Sequence, residues 1–391
     1  MSVVQWQVTV PSVLFGPGSI MQTASLLSSQ NITRPLLVTD PGVLSQSFAQ
    51  ALIAQLKDHA FNVTVFSDIK GNPTKQNVES GLAYFKEKSC DGIVALGGGS
   101  AIDVAKAISL VAFNQNDLWL YCYFENPQHL PLVEGDNFFV PFMVIPTTAG
   151  TGSELSGSSC VINDETSQRK RVAYHPEHFP FAVIDDPQLL MGLPINLSAW
   201  TGMDALTHAI EALCAPDYHP LCDGIALESI RLCHEYLALS VGEPHNIEAK
   251  TQMMAASSIA AVAFTSKGLG AVHSIAHALG ALLDIHHGLA NAVVLPYVLR
   301  FNLTAIAPKL TRLACLLDLS NRTAEGFLEW INELRDQLAI PKTLHAIDVT
   351  HEQLADIALL AVKDTEHHTN PITMDKAKFM SILTAAYQGV E

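Results

Sequence analysis

DGIVALGGGSAIDVAKAISL, residues 91–110, joins an unbroken apolar run, Gly92–Leu96, to three consecutive glycines and then to an amphipathic helical pattern beginning at Ser100. A buried strand running through a glycine turn into a helix is suited to a phosphate. Glycine lets the backbone approach an anion closely, and the free N–H groups and positive dipole end of the helix point at the same place. The expected phosphate contacts are Gly97, Gly98, Gly99 and Ser100, with Asp103 one turn into the helix. Ile102 stands where G-x-G-x-x-G would place its last glycine, so the turn is a variant of the dinucleotide fingerprint.

Outward from this stretch the same alternation repeats. Upstream lie PLLVTD (35–40), a helical pattern over 43–58, NVTVF (62–66) and a helical pattern over 75–88; downstream come PFMVIPTTAG (141–150) and FAVIDDP (181–187). Short β-branched runs alternating with helices predict βαβ units and a parallel sheet. The N-terminal MSVVQWQVTVPSVLFGPGSI also alternates like a strand. From about residue 190 the pattern becomes helical throughout, with breaks at GEP (242–244) and IPKT (340–343). We expect an α/β domain over 1–190 with a parallel sheet and an all-helical domain over 191–391, the boundary falling near 188–196.

The 391 residues suit two cores better than one, and a 49% apolar, 15% charged composition excludes a disordered chain. A net charge of −16 argues against nucleic acid and anionic membrane surfaces as partners. No stretch reaches the roughly 18 consecutive apolar residues of a spanning helix; MMAASSIAAVAF from Met253 reads as a buried helix. The N-terminus has no basic segment followed by an apolar one, and the seven cysteines are scattered without a C-x-x-C pair. Both features fit a soluble protein of the reducing cytoplasm.

Asp40 ends the strand PLLVTD, where a carboxylate would accept hydrogen bonds from an adenosine ribose and repel a 2′-phosphate, favouring NAD over NADP. The turn PTTAGTGSE (146–154) follows another strand, and its threonines are placed to line the same ligand.

In TGMDALTHAIEAL (201–213), Asp204 and His208 are four apart and share a helix face. In KGLGAVHSIAHALGALLDIHHGLANAVVLP (267–296), His273 and His277 are again four apart, and the pair His286 and His287 precedes Gly288. One carboxylate with three neutral imidazoles would leave a divalent cation with net positive charge and an open position, as a catalytic site requires. Nitrogen and oxygen donors without thiolate suit Fe(II) and Zn(II) alike. His277 is open to three readings, as a further ligand, an outer hydrogen bonder or a proton relay, of which the latter two are favoured. His287 is preferred to His286 because Gly288 frees the backbone after it.

With these residues the chain resembles the iron-containing, group III alcohol dehydrogenases. The likeness runs through LLVTD, NPT (72–74), GGGSAIDVAKA, PTTAGTGSE, LPINLSAWTGMDALTHAIEA, GLGAVHSIAHALGA, HHGLANAVVLP and TNP (369–371), nearly the whole chain. It implies the fold shared by iron alcohol dehydrogenases and dehydroquinate synthase: an NAD(P)-binding domain, a helical metal domain, and the substrate between them. It also implies metal ligands at Asp204, His208, His273 and His287. Cofactor contacts would fall on Asp40, Asn72, the Gly97–Gly98–Ser100 loop, Asp103, Thr147, Thr148 and Lys170, and His277 would lie near the reacting carbon. The expected reaction interconverts a small primary alcohol and its aldehyde with NAD(H), in a homodimer or larger homo-oligomer.

Two positions depart from the family's usual pattern, Lys267 before GLG and His286 in place of proline. Lys267 reads first as a solvated lysine at a helix end; at the substrate mouth it would instead favour an anionic semialdehyde. A dehydroquinate synthase-like lyase would need several basic residues beside the metal motifs, where mainly Lys267 stands. A glycerol dehydrogenase-like zinc enzyme would use fewer protein ligands. A silent NAD-binding protein would have lost some of the ligands, and none is lost.

Overall fold

The computed structural model describes residues 8–114, 116–122, 138–157 and 160–390, together with Trp6, Glu125, 130–133 and Gly135. They form two compact units. One holds the described residues of 10–148 and 153–193; the other holds 194–390 with 149–152 and the described residues before 10.

In the first unit the chain runs through β1 (Val13–Phe15), α1 (Thr23–Ser29), β2 (Pro35–Val38), α2 (Pro41–Leu44), α3 (Ser47–Asp58), β3 (Thr64–Phe66) and α4 (Lys75–Glu87). It continues through β4 (Gly92–Gly97), α5 (Gly99–Val111), β5 (Phe142–Pro146), β6 (Cys160–Asp164), β7 (Arg169–Ala173) and β8 (Ala182–Asp185). Six strands make one sheet in the order β1-β8-β5-β4-β2-β3, and every neighbouring pair is parallel. Every residue of β2, β4, β5 and β8 is buried, which is why these strands read as continuous rather than alternating apolar runs. Val94, Leu96, Met143, Ile145 and Ile184 pack with Leu52, Ile53 and Leu56 of α3 in one core. Burying each such side chain contributes roughly 1.5–3 kcal/mol.

The single helix expected over 43–58 is two. Asp40 leaves the strand, accepts the Val43 N–H through its side chain and starts α2 with Pro41 in the first turn, and α3 begins afresh at Ser47. The antiparallel hairpin β6–β7 was not anticipated. Its strand CVIND alternates buried and half-buried residues, and the charged run RKRVA that pairs with it hides the signal. The strand character expected at the N-terminus is met at β1; Met1–Gln5 and Gln7 lie outside the described residues.

The second unit contains α6 (Ile195–Cys214), α7 (Pro220–Gly242), α8 (Ile247–Lys267), α9 (Ala271–Leu283), α10 (His287–Leu316), α11 (Ala324–Gln337), α12 (Leu354–Lys363) and α13 (Lys376–Gln388). It has no strand among the described residues. α6 is buried along most of its length and packs against α7, α8 and α10. The 30-residue α10 is long and apolar enough to cross a membrane by composition, but 67% of its apolar window is buried inside the protein. Its apolar side chains are used by α6, α9 and α11.

α8 and α9 meet at an angle of 104° across Gly268–Gly270, and this bend sends the first turn of α9 toward α6. Gly270 permits a close approach there: a Cβ would lie 2.6 Å from Glu211 Oε1 and 3.1 Å from Asn370 Oδ1. Gly288 likewise lets the start of α10 close on α6, where a Cβ would lie 2.4 Å from the Trp200 carbonyl oxygen.

Candidate metal centre

α6 carries Asp204, His208 and Glu211 on successive turns, all buried. The bend before α9 presents His273 to this stripe, and α10 begins with His287 beside it. Asp204 Oδ1 lies 3.8 Å from His208 Nε2, 3.7 Å from His273 Nε2 and 3.6 Å from His287 Nε2. One donor atom from each of the four lies within 4.8 Å of the others. Four donors at about 2.1 Å from a cation would stand roughly 3.4 Å apart in a tetrahedron, so a small contraction of this set would enclose a divalent ion.

The outer hydrogen bonds favour the same arrangement. His208 Nδ1–H donates to the Gly150 carbonyl at 3.2 Å, and His273 Nδ1–H donates to Glu211 Oε2 at 2.6 Å. Each bond leaves an Nε2 lone pair toward Asp204. The Asn291 amide donates to Asp204 Oδ1 at 2.6 Å and lies 3.2 Å from the Nε2 atoms of His273 and His287. Its Oδ1 is buried without a hydrogen-bond partner, so the cluster draws the donor end of the amide to its centre.

The charges are consistent with a cation's place. Burial works against an ionised Asp204, but His208, His287 and His273 outweigh it and hold the carboxyl far below its usual range. Burial lowers His208 to about 4, a neutral imidazole at physiological pH. Burial opposes protonation of His273 too, yet hydrogen bonds and charge from Asp204 and Glu211 push it up to about 10. Without a cation, a proton on His273 balances two buried carboxylates; a divalent ion would supply that charge instead.

His277 stands beside the cluster rather than in it. Its Nδ1–H donates to Asp364 Oδ2 at 2.8 Å, and its ring stacks on His287 with centroids 5.4 Å apart. Asp364 Oδ1 accepts from Ser274 Oγ and the Glu366 N–H, both at 2.9 Å. Burial pushes Asp364 up, but His277 and these donors bring it below its ordinary value. His286 packs its ring on Trp200 at 5.1 Å, outside the four-donor set.

Lys267 is not at a substrate mouth. It is 2% exposed, pairs with Asp223, and donates to the Leu213 carbonyl at 3.4 Å. Lys309 Nζ reaches the carbonyls of Leu213, Cys214 and Ala215 at 2.7, 3.2 and 3.0 Å. Both ammonium groups therefore serve the carbonyl end of α6, where backbone acceptors and the helix dipole call for positive charge. The alternative of semialdehyde selectivity through Lys267 loses its basis, and the lysine at the end of α8 is buried rather than solvated.

In the first unit, Asp40, the Gly97–Ser100 turn, and Thr147 with Thr148 follow the carboxyl ends of β2, β4 and β5, the edge where parallel α/β sheets bind ligands. Gly98 opens α5 with no side-chain cap, leaving its first N–H groups available. The Thr147 N–H donates to the Gly97 carbonyl at 2.9 Å, and a Cβ on Gly98 would lie 3.3 Å from the Thr148 methyl. Asp40 uses Oδ1 to cap α2 and keeps Oδ2 beside Gly97. Ser100 Oγ donates to the Gly71 carbonyl, Asn72 is buried in the same NPT turn, and Lys170 stands on β7 opposite Asn163. Asp103 is turned inward: Oδ1 accepts from Ser153 Oγ at 2.6 Å and Oδ2 from the Val161 N–H at 3.0 Å.

Three residues of this centre were missed in the sequence. Glu211 continues the stripe of Asp204 and His208 at the next turn, and Asn291 is four residues past His287; both spacings were there to be read. Asp364 has no such signal, because it lies 87 residues from the histidine it holds.

Known proteins resemble the chain along nearly its whole length. Residues 11–187 match the family described as iron-containing alcohol dehydrogenase, and residues 198–387 match its C-terminal domain. The chain is 36% identical to 4-hydroxybutyrate dehydrogenase of Cupriavidus necator, over 92% of this chain and 94% of that one. It is 34% identical to the NAD-dependent methanol dehydrogenase of Bacillus methanolicus, over 92% and 94%. Among solved structures, a 1,3-propanediol oxidoreductase superposes with a TM-score of 0.91 at 33% identity, over 98% of this chain and all of the other. With both halves matched, and relatives above 30% identity along nearly its full length, the chain belongs to the iron-containing alcohol dehydrogenase family.

Proposed function

We propose that the protein is an NAD(H)-dependent, iron-type alcohol dehydrogenase that interconverts a small primary alcohol and its aldehyde, with the cation held by Asp204, His208, His273 and His287. The observation that carries this reading is the buried carboxylate with three imidazole Nε2 atoms at 3.6–3.8 Å around it. The family and its NAD-dependent members support the reaction class. In this reading residues 1–190 bind the dinucleotide and 191–391 the metal. Fe(II) is the proposed ion, with Zn(II) compatible with the same donors.

When bound, the cation would act as a Lewis acid on the substrate's oxygen, and NAD would accept the hydride leaving the alcohol carbon. The chain's own residues orient and move protons. Glu211 and Gly150 fix the rings of His273 and His208, and Phe264 stacks on His208 at 4.6 Å and keeps water from it. His277, held through Nδ1 by Asp364, has Nε2 to take the hydroxyl proton as the alcohol is oxidised and to return it in the reverse direction.

For the cofactor we assign Asp40, Asn72, Gly97, Gly98, Gly99, Ser100, Thr147, Thr148 and Lys170, with Asp103 contributing through its hydrogen bonds to Ser153 and Val161. Asp40 Oδ2 beside the glycine turn supports NAD over NADP. The cytoplasm is the proposed compartment, supported by seven unpaired cysteines, and a homodimer or larger homo-oligomer the proposed assembly. The dehydroquinate synthase-like alternative is not favoured.

The test is anaerobic purification, metal analysis, and NADH oxidation against short aldehydes with Fe(II) or Zn(II) restored. Metal near one per chain with turnover is expected. Tight NADH binding without turnover for any metal would overturn the proposal.

A further inference from the structure

Glu211 touches none of the converging donor atoms except through His273, yet it is 6% exposed and both its oxygens are engaged. Oε1 accepts the Val272 N–H at 2.8 Å, in the first turn of α9. Oε2 accepts His273 Nδ1–H at 2.6 Å. α9 has no side-chain cap of its own at Gly270, and its Ala271 N–H is taken by Asn370 Oδ1 at 3.2 Å. Asn370 is fixed in turn by a reciprocal amide pair with Asn302, at 2.9 and 3.0 Å. The helix that delivers His273 is thus started by side chains from elsewhere in the chain, and one of them also holds the His273 ring.

We propose that Glu211 is a positioning residue of the metal centre: it locks His273 with its proton on Nδ1 and its lone pair on Nε2, turned to the place of a divalent cation. The inference rests on the reading of Asp204, His208, His273 and His287 as metal ligands. Only a carboxylate can hold both Val272 and His273, because both of these partners are donors. In Glu211→Gln, an oxygen facing Val272 puts the amide NH₂ against His273 Nδ1, which must then accept and carry its proton on Nε2, where a cation cannot bind. An oxygen facing His273 instead sets NH₂ against the Val272 N–H and loosens the start of α9.

The test measures Zn(II) affinity of the full chain by chelator competition, and the absorption spectrum of the Co(II)-loaded protein. The proteins are wild type, Glu211→Ala, Glu211→Gln, Glu211→Asp, Asp204→Ala, His273→Ala and the double variant Glu211→Ala/His273→Ala, with folding checked by circular dichroism. Glu211→Ala should weaken binding by about ten- to a hundredfold, as loss of an outer carboxylate on a metal histidine does. Glu211→Gln should weaken it at least about tenfold despite its shape, and Glu211→Asp should recover part of the loss. In the His273→Ala background, removing Glu211 should change affinity by less than about threefold, because the partner through which it acts is gone. Affinity and Co(II) spectrum unchanged in Glu211→Ala and Glu211→Gln, with binding lost in Asp204→Ala, would reduce Glu211 to a helix cap and overturn the inference. Wild-type affinity in Asp204→Ala would overturn the metal reading on which it stands. Glu211→Gln and Glu211→Asp keep the test open if Glu211→Ala does not fold.

Discussion

Replacing Lys267 by methionine separates two roles that the sequence alone would confuse. The side chain of Lys267 is fully buried, whereas that of its partner Asp223 is 28% exposed. Removing one member of a buried ion pair costs about 3–5 kcal/mol. Here Asp223 regains some hydration and Lys309 still serves the Leu213 carbonyl, so about 2–3 kcal/mol is expected. Methionine fills most of the volume of the lysine stem, so little cavity cost is added. The assay is urea unfolding of wild type and variant by circular dichroism, with the kcat/KM ratio for an anionic semialdehyde against a neutral aldehyde of equal length. The unfolding free energy should fall by the stated amount, and the ratio should change by less than about twofold. A charged hydrogen bond to substrate is worth about 1.5–3 kcal/mol, so a lysine at the substrate mouth would shift the ratio by roughly ten- to a hundredfold. A shift of that size with unchanged stability would refute the placement of Lys267 under α6.

Other expectations follow from the same geometry. Asp364→Asn should lower kcat by about tenfold or more by releasing the His277 ring, while metal content stays at the wild-type level; a parallel loss of metal would move Asp364 into the support of the cation. His277→Ala should reduce turnover by about a hundredfold or more with metal retained, and unchanged turnover would remove it from the mechanism. Asp40→Ala should narrow the preference for NADH over NADPH by about fivefold or more, the effect of relieving roughly 1 kcal/mol or more of repulsion between a carboxylate and a 2′-phosphate; an unaltered ratio would take Asp40 away from the ribose. His178, buried against Ser109 at 2.7 Å, is held well below its ordinary 6.5 by burial. Its folded-state pKa is depressed, so its contribution to stability is intact above about pH 6.5 and declines as pH falls toward the folded value, by up to about 1.4 kcal/mol per pH unit. His178→Phe should flatten the urea midpoint between pH 7 and 5, and an unchanged slope would count against this assignment.

Much of the fold could be read because the buried strands announce themselves. β4 and β5 are apolar on both faces, and the glycine turn joins β4 directly to α5. Part of the four-donor cluster was legible for a related reason, since four-residue spacing puts Asp204 and His208 on one face of α6 and His273 and His277 on one face of α9, whereas His287 comes from the separate helix α10. Position before GLG left Lys267 open to a solvated helix end or a substrate mouth, but its ammonium group is buried at the carbonyl end of α6, a long-range contact that local sequence does not encode. The β6–β7 hairpin was hidden because the consecutive Arg169, Lys170 and Arg171 put charge on both faces of β7 and leave no alternation to read. Asp364 was hidden because its role arises only where the end of α12 meets α9, a contact no local pattern encodes.

X-ray absorption at the iron edge of the anaerobically reconstituted enzyme addresses the metal centre most directly. Asp204, His208, His273 and His287 require a first shell of nitrogen and oxygen at about 2.0–2.2 Å, three of the scatterers showing imidazole multiple scattering, and no sulfur. The imidazole contribution should fall by one in His273→Ala. A sulfur shell, or a spectrum without imidazole, would contradict a centre built on these four side chains.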